Sequence, residues 1–193
     1  MLGLKLPTDP RWVNIAEKNI EEILTDHAFC EQKAASTALS LIVSFPEYSD
    51  LVQEMTALVK EEISHFKMVH DIILERGWVM GRDRKDAYVN KLVTFFPKGG
   101  SRTNQLVHRL LYAALIEARS CERFRLLSEA LEDKELSKFY HKLMVSEANH
   151  YSMFLGFARK YGDRKEVDEK WQQLLEFEAK IMKDLSKSET IHG

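Results

Sequence analysis

Helix-breaking residues are scarce in this chain, and this scarcity constrains its fold more than any other feature. Its 193 residues include only 8 Gly and 4 Pro. Because Gly and Pro are the residues that most disfavour a helix interior, their scarcity favours long helices. With 45% hydrophobic and 30% charged residues, the chain is long enough and apolar enough to bury one core.

Apolar residues at helical spacing predict five helices. The first begins at Asp9-Pro10, a favourable N-cap and first helical residue, and has a candidate break near residues 24–26. Gly77 is placed to end the second, and Asp163 with Glu166 resembles a capping box that starts the fifth. The predicted helices cover about residues 9–46, 48–77, 102–131, 133–162 and 163–186.

These helices form two hairpins joined by a poorly periodic connection at residues 78–101. A connection of that length allows helices two and three to run parallel in a four-helix bundle. We therefore predict an all-α bundle with a long crossover between helices two and three and a C-terminal fifth helix. The prediction treats residues 1–193 as a single domain, with a frayed polar tail at about 187–193.

The motif Glu-x-x-His occurs in the second helix of each predicted hairpin. Glu62 and His65 form the first copy, and Glu147 and His150 form the second. Residues three apart share one helix face, so each pair can present two ligands together. The motif alone is weak support for a site, since a third copy, Glu189 with His192, falls in the polar tail.

The positions of two further glutamates strengthen the case for a ligand site. Glu31 precedes the turn at Pro46 by 15 residues and Glu62 follows it by 16, so both lie roughly 22–24 Å from that turn. Glu117 precedes Asp133 by 16 residues and Glu147 follows it by 14, which repeats the arrangement. If the hairpins pack face to face, four carboxylates and two imidazoles converge.

Four buried carboxylates need compensating positive charge, which two divalent metal ions can supply. Carboxylates can bridge two metals and imidazole suits iron, so this donor set indicates a non-haem di-iron or di-manganese centre. A structural zinc site would favour Cys and His ligands instead. The predicted ligands are Glu31, Glu62, His65, Glu117, Glu147 and His150.

This ligand pattern resembles that of the ferritin-like di-iron carboxylate proteins. Within them, the whole chain resembles the tRNA 2-methylthio-N6-isopentenyladenosine hydroxylase family, MiaE. The resemblance is carried by the N-terminal TDPRWV, by AFCEQKAAS around Glu31 and by SEANHY around Glu147, and all six ligand positions are present.

The resemblance implies an O2-dependent monooxygenase with two iron ions. It would hydroxylate the isopentenyl side chain of the modified adenosine beside the tRNA anticodon, with electrons from an external donor. Glu62 and Glu147 would bridge the metals, Glu31 and Glu117 would be terminal ligands, and the two histidines would bind one iron each. Only the resemblance, and not the ligand spacing, implies tRNA.

Three neighbours of the ligands have candidate roles beside ordinary structural ones. Glu61 is expected to accept a hydrogen bond from His150 or to be a solvated charge. Cys121, four residues after Glu117, either lines the O2 pocket or fills a gap in the core. His27, one turn before Glu31, either lines the mouth of the site or has a structural role.

The segment from Arg76 to Arg109 carries a net charge of +6, against −8 for the rest of the chain. Its basic residues lie beside the aromatics Trp78, Tyr88, Phe95 and Phe96, a combination that suits phosphates and stacked bases. The alternative is a solvated loop that balances acidic helices. The candidate RNA-binding residues are Arg82, Arg84, Lys85, Lys91, Lys98 and Arg102.

Composition narrows the remaining function classes. No apolar run is long enough to span a membrane, and two cysteines, Cys30 and Cys121, form neither a disulfide framework nor a rubredoxin-type Cys-x-x-Cys site. We therefore expect a cytoplasmic protein, a monomer or small homo-oligomer. The alternative functions are a ferritin-like protein that oxidises iron or reduces peroxide, and a metal-free helical interaction module. The latter would leave six polar groups unpaired in a core.

Overall fold

The computed structural model describes residues 2–185 and residue 191, and in these residues every regular element is helical. The helices are α1 (Trp12–Lys18), α2 (Ile20–Ser44), α3 (Ser49–Glu75), α4 (Ala87–Leu92), α5 (Arg102–Ala130), α6 (Lys134–Tyr161) and α7 (Arg164–Leu185). Residues Val93–Phe95 add one 3-10 turn after α4. The all-α fold class predicted from the sequence is therefore confirmed.

The predicted frayed tail at about 187–193, with its Glu189/His192 pair, lies outside the described residues apart from residue 191. Within the described part of the chain, no helix is both long and apolar enough to cross a membrane.

The chain divides into two compact units. The first unit comprises residues 18–85 and residue 191, and its centre is the first hairpin, in which α2 packs along α3. Leu41, Leu51 and Met55 are fully buried near the turn. At the other end, Gly77 adopts φ +73°, its N–H donates to the carbonyl of Leu74, and the next N–H reaches the carbonyl of Ile73. This is the glycine helix end that the sequence predicts.

The second unit comprises residues 2–17 and 86–185, and its centre is the second hairpin, in which α5 packs along α6. Side chains cap both helices: Ser101 accepts from the N–H of Asn104 at 3.1 Å, and Asp133 accepts from the N–H of Leu136 at 3.1 Å. The helix α7 begins at the predicted cap, where Asp163 accepts from the N–H of Glu166 at 3.0 Å. Caps of this kind satisfy amide groups that have no partner within the helix.

The crossover contains a short helix within the connection that the sequence predicts to be irregular. Asp86 caps α4 by accepting from the N–H of Val89 at 3.0 Å, and Tyr88 and Leu92 are fully buried on one face. Both α4 and α5 pack against α7. Two buried residues one turn apart are too few to produce a recognisable helical period, so tertiary packing selects this helix.

The first predicted helix is interrupted at Asn19, and the candidate break near residues 24–26 is wrong. Asn19 has φ −128° and ψ 38°, outside the helical region, whereas Leu24 and Asp26 lie inside α2. Asn is a poor helix former because its side chain competes for backbone hydrogen bonds. The break separates α1, most of which belongs to the second unit, from α2 in the first unit.

Candidate metal centre

The first hairpin brings three of the predicted ligands together. Glu31 on α2 meets Glu62 and His65 on α3, and one donor atom from each residue lies within 4.8 Å of the others. The Nδ1 atom of His65 is 3.4 Å from a carboxylate oxygen of Glu62 and 3.6 Å from Oε2 of Glu31. All three side chains are buried. The antiparallel register that equal spacing from the Pro46 turn predicts is therefore present within this hairpin.

A fourth side chain, His27, contacts this cluster. Its Nε2 atom lies 2.7 Å from Oε1 of Glu31, and the ring is fully buried. The sequence reading placed His27 one turn before Glu31 but did not predict the contact. The i, i+4 spacing was the available signal, since side chains four residues apart on a helix are neighbours.

The first hairpin is electrostatically prepared for a cation. Burial by itself raises the pKa of a carboxyl group, but a hydrogen bond with His27 and the close approach of His65 hold the pKa of Glu31 well below its usual value. Burial by itself lowers the pKa of an imidazole, but the close approach of the Glu31 and Glu62 carboxylates raises the pKa of His65 to about 10. The carboxylates of this hairpin thus favour positive charge beside them.

The second hairpin holds the other three predicted ligands, also buried. A donor atom of Glu117 on α5 lies within 4.8 Å of one from His150 on α6, and Nδ1 of His150 is 3.9 Å from Oε1 of Glu147. The position that corresponds to His27, four residues before the single glutamate, is Ala113. The second hairpin therefore repeats the ligands of the first without the additional histidine.

The chemistry of these donors fits divalent iron or manganese. Each hairpin supplies two carboxylates and one imidazole, which are oxygen and nitrogen donors suited to these metals. No thiolate belongs to either set, so neither resembles a structural zinc site. The burial of two carboxylates in each hairpin gives a physical reason for a cation, because an uncompensated buried charge is costly.

The other two predicted neighbours of the ligands, Glu61 and Cys121, have different environments. The Glu61 side chain is 49% exposed, and its carboxylate lies 3.8 Å from Nε2 of His65 in its own hairpin. Its predicted hydrogen bond with His150 stays a prediction. Cys121 is buried, and its thiol donates to the carbonyl of Met144 at 3.3 Å. Burial raises the pKa of the Cys121 thiol to about 11, so it is protonated near neutral pH.

The predicted RNA-binding residues are all exposed, but they divide between the two units. In the first unit, the segment 81–85 follows α2: the Gly81 N–H donates to Thr25 at 3.4 Å, and Asp83 pairs with Lys33 at 2.6 Å. Arg84 pairs with Glu22 at 3.2 Å. The first unit contains Arg82, Arg84 and Lys85, and the second unit contains Lys91, Lys98 and Arg102.

The aromatic residues of the crossover differ from the prediction at one position. Tyr88 is fully buried and donates to Glu178 at 3.2 Å, so it is a core residue and cannot stack on a base. Trp78 is half-buried, with the guanidinium of Arg76 5.5 Å from its ring centre. Phe95 and Phe96 are also half-buried and pack edge to face, with ring centres 5.1 Å apart.

Sequence reading missed a buried ionic cluster on α5. The Arg119 guanidinium bonds Glu178 of α7 at 2.5 Å and also pairs with Glu122, one turn along α5. Glu122 in turn accepts from the hydroxyl of Thr8 at 2.7 Å. The available signal was the pair of opposite charges at i and i+3 on α5, but only the segments that cover this helix decide that the charges are buried.

A solved structure has the same fold. It is described as "Protein 43 with aldehyde deformylating oxygenase activity from Synechococcus", and it matches with a TM-score of 0.87 and 32% identity over 93% of this chain and 88% of that chain. Together with the helical content, this similarity shows that the protein has a ferritin-like fold.

The chain belongs to the MiaE family, because the family model described as "tRNA-(MS[2]IO[6]A)-hydroxylase (MiaE)" matches residues 2–193. A tRNA 2-(methylsulfanyl)-N(6)-isopentenyladenosine(37) hydroxylase of Pseudomonas putida is 40% identical over 164 residues, which cover 85% of this chain and 78% of the relative. A hydroxylase of the same name from Salmonella typhimurium is 30% identical, over 81% of this chain and 75% of the relative. The protein is therefore an enzyme of a tRNA hydroxylase family.

Proposed function

We propose that this chain is an O2-dependent di-iron monooxygenase that hydroxylates the isopentenyl side chain of 2-methylthio-N6-isopentenyladenosine in tRNA. The observation that carries this proposal is the repetition of a buried ligand set, two glutamates and one histidine, in the two hairpins of a MiaE family member.

The proposed centre joins the two hairpins in one domain spanning residues 1–193. Six side chains would hold two iron ions: Glu31, Glu62, His65, Glu117, Glu147 and His150. Glu62 and Glu147 would bridge the metals, while Glu31 and Glu117 would be terminal ligands. When bound, the iron pair supplies the capacity to reduce O2. The surrounding burial of these side chains supports the proposal, because it excludes water from a reactive site.

The reaction needs a partner in addition to tRNA. One oxygen atom of O2 enters a C–H bond as a hydroxyl group, and the other leaves as water, which consumes two electrons and two protons. An external electron donor must supply the electrons.

We propose that the exposed basic residues of the crossover bind tRNA phosphates. Arg82, Lys85 and Lys98 support this best, because no ion pair engages them within the described part of the chain. Arg84 is less suited, since Glu22 already pairs with it. A tRNA substrate also implies that the enzyme acts in the cytoplasm.

Nucleoside mass spectrometry tests this function. The reduced, iron-loaded protein is mixed with O2 and with tRNA that carries the 2-methylthio-isopentenyl modification. We expect the modified adenosine to gain one oxygen atom, and His150→Ala to abolish the gain. The control is tRNA that lacks the isopentenyl group, which should remain unchanged.

A second measurement tests the metal centre independently of tRNA. Anaerobic loading with Fe(II), followed by desalting and iron analysis, should give close to two irons per wild-type chain and fewer in Glu62→Ala. Folded wild-type protein that binds no Fe(II) would contradict the proposed centre. Two bound irons without any hydroxylation of tRNA, under conditions that keep the protein reduced, would favour the iron-oxidising or peroxide-reducing alternative.

A further inference from the structure

The carboxylate of Glu31 is divided between two histidines. Its Oε1 atom lies 2.7 Å from Nε2 of His27, and its Oε2 atom lies 3.6 Å from Nδ1 of His65. The first distance is that of a strong hydrogen bond, whereas the second is too long for one. Oε1 is therefore bonded to His27, which is not a predicted ligand, whereas Oε2 lies near His65, which is one.

The contact with His27 is well defined geometrically. His27 is fully buried one turn before Glu31 on the same helix, so the backbone of α2 fixes the separation of the two side chains. A carboxylate only accepts hydrogen bonds, so the imidazole must donate through Nε2–H. Because both groups are buried, water does not compete for this bond.

The second hairpin has no counterpart of this contact. The corresponding position is Ala113, whose side chain carries no hydrogen-bonding group, although it is buried like His27. The two hairpins thus present the same three ligand types, but only the first restrains its single glutamate with a donor from the preceding turn.

We propose that His27 is a positioning residue for the metal centre. By donating to Oε1 of Glu31, it fixes the carboxylate so that Oε2 is directed at the metal held by the first hairpin. The two metal positions then differ: the position that uses Glu31 is preorganised, and the position that uses Glu117 is not. This inference rests on the proposed di-metal function. Hydrogen bonds of this kind typically change metal affinity by about 10- to 100-fold.

Metal binding to three variants tests the role of His27. His27→Leu removes the donor and keeps an apolar side chain, while His27→Gln places an amide N–H at a similar reach from the backbone. His70→Gln is the matched control, because His70 lies in the same hairpin and stacks on Phe66 with ring centres 6.0 Å apart. Circular dichroism establishes that each variant is folded, and His27→Ala replaces His27→Leu if the latter does not fold.

The probe is Co(II), added anaerobically to each apoprotein and followed by its visible ligand-field bands and by equilibrium dialysis. Wild-type protein should bind two equivalents with unequal affinity. In His27→Leu, the tighter equivalent should weaken by about tenfold or more and its bands should shift, while the other equivalent is unchanged. His27→Gln should recover most of the affinity, and His70→Gln should match wild type.

Each other result overturns the inference in a distinguishable way. Two unchanged equivalents in His27→Leu would show that His27 does not position Glu31. Complete loss of one equivalent in both His27→Leu and His27→Gln would make His27 a ligand instead of a positioning residue. Equal weakening of both equivalents would contradict the asymmetry. Wild-type protein that binds no Co(II) or Fe(II) would overturn the di-metal centre itself and the inference with it.

Discussion

The first and second hairpins carry the same types of proposed metal ligand but are built differently around them. In the first, the outer face of α2 is exposed, as at Gln32 and Lys33, and the segment 81–85 crosses it through surface contacts. In the second, α5 is buried on nearly every side, and its outer face holds Arg119 and Glu122 in an ionic cluster. The single predicted glutamate ligand of each hairpin thus lies on a half-exposed helix in the first hairpin and on an enclosed helix in the second.

The helices α5 and α2 are held in place by different contacts. Thr8 and Glu178, which are distant from α5 in the sequence, bond to charged side chains on its outer face. Arg123 of α5 also makes a cation–π contact, 4.3 Å from the ring centre of Trp12. The contacts of α2 with the segment 81–85 lie nearer the surface, and α2 has in addition the buried contact between His27 and Glu31. We infer that α5 is held from outside, whereas the Glu31 carboxylate is held from within its own helix.

The largest expected effect is on the ionic cluster of the second unit. Arg119→Ala leaves Glu122 and Glu178 buried without their cation, so it should lower the free energy of unfolding by about 3–5 kcal/mol. Urea unfolding followed by circular dichroism measures this loss. The control is Arg125→Ala, which removes a partly exposed pair with Glu129 and should cost about 0.5 kcal/mol. Equal losses in both variants would contradict the assigned role of the cluster.

The two cysteines provide a chemical comparison of the hairpins. Cys30 on α2 is partly exposed, whereas Cys121 on α5 is buried and the pKa of its thiol is raised to about 11. Since the thiolate is the reactive form, Cys121 should react with iodoacetamide about tenfold or more slowly than Cys30 at pH 8. Its rate should rise as the pH approaches 11. Mass spectrometry of digested protein measures both rates, and similar rates would mean that α5 opens as readily as α2.

Measurements of tRNA binding can compare the exposed basic residues of the crossover in the first unit with those in the second. Arg82→Ala with Lys85→Ala should lower the slope of log affinity against log salt by about 2 in magnitude, since each residue contributes one phosphate contact. Lys91→Ala with Lys98→Ala makes the same change of charge in the second unit. Filter binding at several salt concentrations measures both pairs of substitutions. An unchanged slope for one pair would remove that unit's part of the crossover from the tRNA-binding surface.

The smallest expected effect is on the surface contact between Lys33 and Asp83. Both side chains are nearly half exposed, so Lys33→Ala should cost about 1 kcal/mol or less of stability. Thermal unfolding measured at low and at high salt checks this value, because salt screens an exposed pair. A loss as large as that expected for Arg119→Ala would mean that the segment 81–85 fixes α2 as firmly as the ionic cluster fixes α5.

The sequence by itself determined most helix boundaries and the composition of each proposed ligand set. Caps such as Asp133 and the glycine end at Gly77 act within a few residues, so they are readable without a fold. The meeting of Glu31 with Glu62 within one hairpin also follows from the sequence, because equal distances from a turn place two residues at the same level.

Only the tertiary structure decided which polar side chains are enclosed and what they contact. Tyr88 resembled a stacking residue in the sequence, but Glu178 of a distant helix makes it part of the core. Asn19 separates α1 from α2, and the basic crossover divides between the two units. Helical periodicity is a local property, whereas the burial of a charge depends on segments that only the folded chain brings together.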